Sequence, residues 1–193
     1  MEVDWEVEVG GGAPVIEALW PGFVDLRRNP ERLVEIAEAA AFPPLARLLL
    51  ALNSAESPVW TAKCDVWKPE LSAADFAITN GPETPSRAPA ALACYIDLLP
   101  RAGLLFAQWQ QAESFCRAWV AGLEPVPMPD SRVELIVRQA VAGDANGFGV
   151  TAYLSGMGQD LSAASQALAA ALDAFVESIP QGMPPVTAAS KLQ

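Results

Sequence analysis

The chain has 193 residues, a formal net charge of −11 and no histidine. Hydrophobic residues make up 52% and charged residues 18%, enough apolar material for a core and the reverse of a disordered composition. Without histidine the sequence lacks the commonest metal ligand, the usual general base near neutral pH and the base of Ser-His and Cys-His nucleophile pairs.

The acidic balance opposes phosphate backbones and anionic lipid surfaces, so neither nucleic acid nor a membrane is expected as a partner. It serves solubility, or it steers a basic protein partner toward the chain. Cys64, Cys94 and Cys116 are odd in number, form no CxxC and lie in apolar stretches. That pattern predicts reduced thiols packed as small hydrophobes, in a reducing, cytoplasmic compartment. The first residues lack the basic region and continuous apolar run of a signal peptide. No apolar segment reaches the roughly 18 residues a membrane span needs.

Val3, Trp5, Val7 and Val9 alternate with Glu2, Asp4, Glu6 and Glu8, which predicts a strand with one buried and one acidic face. Gly10-Gly11-Gly12-Ala13-Pro14 ends it, and residues 15–25 read as a second strand interrupted at Pro21-Gly22. Asn29-Pro30-Glu31 marks a helix start, with Asn29 as cap and proline at the first helical position. Leu33, Ile36, Ala37 and Ala40 continue it until Pro43-Pro44, where the missing N–H groups and the ring clash break it. A second apolar helix follows from Leu45 to Leu52.

Residues 59–67 predict a strand with Trp60, Ala62, Cys64 and Val66 on one face and Val59, Thr61, Lys63, Asp65 and Trp67 on the other. Residues 68–89 carry four prolines and read as a loop, either a lid or slack, in which Ser72 and Asp75 are spaced to cap a short helix. Leu92 to Leu99 is a strand with Cys94, Ile96 and Leu98 on one face. Leu105, Trp109, Ala112, Cys116, Trp119 and Leu123 form a helical stripe. Pro125, Pro127 and Pro129 make a stiff stretch, an internal joint at 124–130.

Val133, Leu135 and Val137 predict a strand, Asn146-Gly147 a hairpin turn, and Phe148, Val150, Ala152 and Leu154 the returning strand. Ser155-Gly-Met-Gly158 reads as a turn before a last helix capped by Asp160 or Ser162, with Leu161, Leu168, Leu172, Phe175 and Ile179 on its stripe. Residues 181–193 lack periodicity and predict a flexible tail. Together these elements predict an α+β fold in one domain over residues 1–180. Its largely antiparallel sheet would have about six strands in three strand-strand-helix units (3–53, 59–123 and 132–179), with the helices packed on one face.

For chemistry, the cysteines are too scattered for zinc. Carboxylates at alternate positions of one strand are ~6.6 Å apart, too far to chelate one ion alone, so no metal is assigned. Gly10-Gly11-Gly12 is a turn, and neither G-x-G-x-x-G nor a P-loop occurs, so no cofactor is assigned and no catalytic residue is named. Lys63 neighbours Cys64, but adjacent strand residues point to opposite faces, so the thiol gains no cation.

One polar-aromatic constellation stands out. If the strands of Asp65 and Asp97 are adjacent, Lys63, Asp65, Trp67, Tyr95 and Asp97 share a face able to bind a small polar ligand or do acid-base work. The plain alternative is a solvated face with a cross-strand ion pair. Trp5, Trp60, Trp109 and Trp119 fall on core faces; Trp20 and Trp67, near strand ends, are placed to anchor a partner.

The leading expectation is a non-enzymatic binding or accessory protein that meets a basic protein partner through Glu2, Asp4, Glu6, Glu8 and Trp20. Its rival is a small-molecule-binding protein or enzyme using the Lys63, Asp65, Tyr95 and Asp97 face. The third is a protein that self-associates, as a homodimer, through an uncovered sheet edge or the apolar helix at 161–179.

Overall fold

The computed structural model describes residues 1–70, 90–127 and 130–180. In chain order the elements are β1 (Glu2–Glu8), β2 (Ile16–Glu17), a 3-10 helix (Pro30–Glu35), α1 (Ala37–Ala41), α2 (Pro43–Asn53), β3 (Val59–Trp67), β4 (Ala90–Pro100), α3 (Trp109–Leu123), β5 (Ser131–Ala142), β6 (Ala145–Gly158) and α4 (Leu161–Glu177). The class is α+β, with an open six-stranded sheet in the order β1-β5-β6-β4-β3 and β2 also beside β5. Among the described residues, no helix is long and apolar enough to cross a membrane.

The sheet is mixed, which corrects the expected antiparallel one. β3, β4, β6 and β5 are antiparallel neighbours, but β1 and β2 both run parallel to β5. They do not pair with each other. After β1 the chain loops out through Gly10 and Gly12, whose φ of 135° and 95° suit only glycine, and returns to the same edge of β5. The expected second strand over 15–25 shrinks to two residues, because the chain then turns at Trp20, where Phe23 N–H donates to the Trp20 carbonyl.

The core lies between one face of this sheet and the helices. Val3, Trp5 and Val7, the inward residues of β4, β5 and β6, and Leu48 of α2, Phe115 of α3 and Phe175 of α4 belong to one cluster. Trp119 stacks on Phe175 with ring centroids 4.1 Å apart and donates its indole N–H to the Phe175 carbonyl. The apolar face of α4, offered above as a self-association surface, is buried within the chain through Leu168, Leu172 and Phe175.

Several local expectations shift by a turn or a residue. Asn29 makes no side-chain cap, and the segment after it is a 3-10 helix rather than the start of a long α-helix. The break falls at Phe42, and Pro43 opens α2, where its missing N–H costs no helical bond. α3 starts at Trp109, later than the stripe suggested, because Phe106 is taken by a β-bridge to Phe148. That leaves Trp109 exposed on the first turn rather than in the core.

The hairpin turn is Gly143-Asp144, with Gly143 at φ 59°, while Asn146 and Gly147 lie in the ladder opposite Val141 and Ala140. Ser155 to Gly158 are strand, not turn. Asp160 caps α4 by accepting from the Ala163 N–H at 2.9 Å. The long connection from residue 71 to 89, with its Ser72–Asp75 cap, Pro129 and the tail 181–193 all lie outside the described residues.

The largest correction concerns β3. Its register slips between Thr61 and Lys63, so Ala62 sits in a bulge and the alternation changes phase there. Thr61 faces α2, where it accepts from the Asn53 side-chain amide at 2.7 Å. Lys63, two residues on, faces the other way, opposite Asp97. Trp60 therefore does not share a face with Cys64 and Val66. It packs with Ile16, Ala18, Leu99 and Ala140 in a second, small core on the side of the sheet that bears no helix among the described residues, the helix-free side.

Candidate functional site

The strand register assembles the site. Paired residues share a face, so the helix-free face carries Glu6, Ile136, Thr151, Asp97 and Lys63 in one row. The next row holds Asp4, Glu134, Tyr153, Tyr95 and Asp65, and the one beyond it Glu2, Arg132, Ser155, Ala93 and Trp67. Glu8 faces Arg138 at the other end. The acidic strand and the Lys63/Asp65/Trp67/Tyr95/Asp97 constellation, two separate surfaces in the sequence, are the two sides of one face.

Trp20 joins them from outside the sheet. Its indole N–H donates to the Ala62 carbonyl at 2.9 Å, so the bulged residue is what holds the ring. With Pro14 to Glu17 and Pro21 it forms a wall over a cleft of about 390 Å³ whose floor is Lys63, Tyr95, Asp97, Arg138, Thr151 and Tyr153. A second cleft of about 310 Å³ adjoins it beyond Trp20 and Lys63, bordered by Glu38, Cys64 and Asp65.

Asp97 is the buried acid of the floor, 8% exposed. Thr151 Oγ1 donates to its Oδ1 at 2.6 Å. Burial pushes its carboxyl above the ordinary range; the Thr151 hydrogen bond and the charges of Arg138 and Lys63 pull the other way. Arg138 is committed: Nε and Nη2 donate to Glu8 Oε2 at 3.1 and 2.8 Å, and Nη1 donates to the Tyr153 hydroxyl at 3.1 Å.

Lys63 is not committed. Among the described residues it makes no ion pair, although Asp97 is its cross-strand partner. Its ammonium lies 5.9 Å from the centre of the Trp20 ring. The simple cross-strand ion pair is thus absent. Tyr95 is pushed up to about 12, by burial first and then by the Asp97 and Asp65 charges, so it remains a hydrogen-bond donor across the neutral range. Tyr95, Tyr153 and Trp67 pack together with ring centres 6.1 to 6.4 Å apart.

Of the acidic row, Glu2, Asp4 and Glu6 are exposed, whereas Glu8 is drawn in by Arg138. Asp65 is exposed and does not join Asp97; it faces Tyr95 instead. Cys64 and Cys94 point to the helix side as free thiols, each pushed up to about 12 by burial, which leaves little thiolate for nucleophilic work.

Sequence reasoning missed Arg138, Thr151, Tyr153 and Glu17. The polar positions of β6 were visible as the alternation of Thr151 and Tyr153 with Val150, Ala152 and Leu154. Nothing local says that β6 lies between β4 and β5. Compared with models of known protein families, with curated proteins and with solved structures, the chain matches none of them.

Proposed function

We propose that this protein binds a small polar molecule in the cleft between the Pro14–Pro21 segment and the helix-free face of the sheet. One observation carries this: Lys63, Tyr95, Asp97, Arg138, Thr151 and Tyr153, drawn from four strands, converge under the Trp20 wall in a cleft of about 390 Å³. That volume is within the range of small-molecule sites, and polar groups converge there under a partly apolar wall. Packing explains the rest of the sheet, but packing alone does not require an uncommitted lysine beside a buried carboxyl.

The test is a ligand screen by NMR on the full chain, following the Trp20 indole N–H, identified by its loss in Trp20→Phe. Ligands that move this signal in the wild type but not in Tyr95→Ala support the proposal. A screen in which no compound moves it sinks the proposal.

The row of Glu2, Asp4 and Glu6 favours a second proposal, a basic protein partner on β1. Replacing all three by lysine is expected to slow association with an arginine-rich probe peptide and to flatten its salt dependence. Glu8 is left in place because it serves Arg138. Unchanged kinetics would remove β1 as the partner surface.

A further inference from the structure

We propose that the molecule taken by this cleft is a small organic carboxylate with an apolar or aromatic body. The inference rests on the cleft being the binding site. Three observations point to it. The floor offers two cations, but only one has capacity left, since Arg138 already spends its guanidinium on Glu8 and Tyr153. Lys63 offers its ammonium with no carboxylate within ion-pair reach among the described residues. A surface lysine in a chain of net charge −11 has carboxylates in plenty to pair with, and here it leans to the Trp20 ring instead.

The second observation is the state of the one acid beside it. Asp97 is enclosed and accepts from Thr151, and burial favours its uncharged form. Asp97 is bonded to Thr151 and not paired with Lys63, so the ammonium is left open to an incoming anion. A cationic ligand meets the opposite situation: Lys63 and Arg138 repel it, and the one acid of the floor is enclosed and already accepts from Thr151. Third, the wall is Pro14, Ile16, Trp20 and Pro21, with Tyr95 across from it. Such a wall has flat apolar surface for the body of the ligand and no charged group except Glu17.

The experiment compares three probes of one shape on the full chain at neutral pH: benzoate, benzyl alcohol and benzylammonium. Each is titrated while the Trp20 indole N–H is followed by NMR. Benzoate is expected to bind about tenfold more tightly than benzyl alcohol, as one charge-assisted hydrogen bond provides, and benzylammonium most weakly. Lys63→Gln is expected to erase the advantage of benzoate while benzyl alcohol binds as before, and Lys63→Arg to keep most of it.

If benzyl alcohol matches benzoate, or benzylammonium binds best, the cleft stands as a binding site and the carboxylate assignment falls. If the benzoate advantage survives Lys63→Gln, the assignment of Lys63 falls with it. If none of the probes shifts the Trp20 signal, both the cleft and its ligand class are overturned.

Discussion

At the scale of single residues, Asp97 carries the sharpest consequence. Its folded carboxyl titrates above the ordinary range because burial outweighs Thr151, Arg138 and Lys63. A raised folded pKa means that the native state holds this proton more tightly than the unfolded chain does. The stability so gained is full below the ordinary carboxylate range and is lost as pH rises through the folded value. Asp97→Asn is expected to flatten that decline, seen as urea midpoints that change less between acid and neutral pH than in the wild type. A decline of unchanged size would mean that other carboxylates carry it.

Trp60 is the second such residue. It is fully buried, donates to the Pro100 carbonyl at 3.1 Å, and lies under the Arg27 guanidinium at 3.8 Å. Trp60→Ala is expected to cost about 3–5 kcal/mol in chemical denaturation, the range for large buried aromatics. A loss below about 1 kcal/mol, the size of an ordinary surface change, would show that the small core on the helix-free side adds little.

At the scale of elements, contact between α4 and the sheet depends on Gly156 and Gly158 of β6. A Cβ at Gly156 would run into the Leu168 backbone nitrogen and meet the Ala164 carbonyl oxygen at 2.5 Å, and both are backbone. Gly156→Ala therefore has to push the helix outward, and the expected cost is about 1–3 kcal/mol. Gly11→Ala is the control: nothing lies within 4 Å of its Cβ, and a change within about 0.5 kcal/mol is expected. Equal urea midpoints for the two variants would contradict the tight helix-sheet contact.

Period-two and period-3.6 patterns located β1, β4, α2 and α4 well, since each shows its buried stripe along a continuous stretch. They failed at β3. The bulge at Ala62 inverts the alternation, and only the partner strand reveals it. They also failed at Asn146-Gly147, where glycine serves the close approach of Phe106, whose carbonyl would lie 2.6 Å from a Cβ. The row of carboxylates on β1 belongs to this scale as well. Pairing two copies along that strand would bring like charges face to face, which opposes self-association there.

At the scale of the whole molecule, the described helices take one side of the sheet and the ionisable constellations are left on the other. The chain is strongly acidic, yet the floor of its cleft holds two cations and one acid, whose carboxyl burial pushes above the ordinary range. The charge-reversal experiment on β1 and the probe series on Lys63 act on opposite ends of this face. Their outcomes separate a protein-partner surface from a small-molecule site.

The sequence by itself determined the class of fold, the buried stripe of most elements and five residues of the polar face, because those follow from composition and from local periodicity. Only the tertiary structure decided the strand order, the parallel docking of β1 and β2, and the neighbours of Lys63. Glu8 meets Arg138 across 130 positions, and Asp97 meets Thr151 across 54. Such pairings are fixed by which strands fit together around the core. No repeat or spacing along the chain records them, and so the cleft they form became visible only once the sheet was assembled.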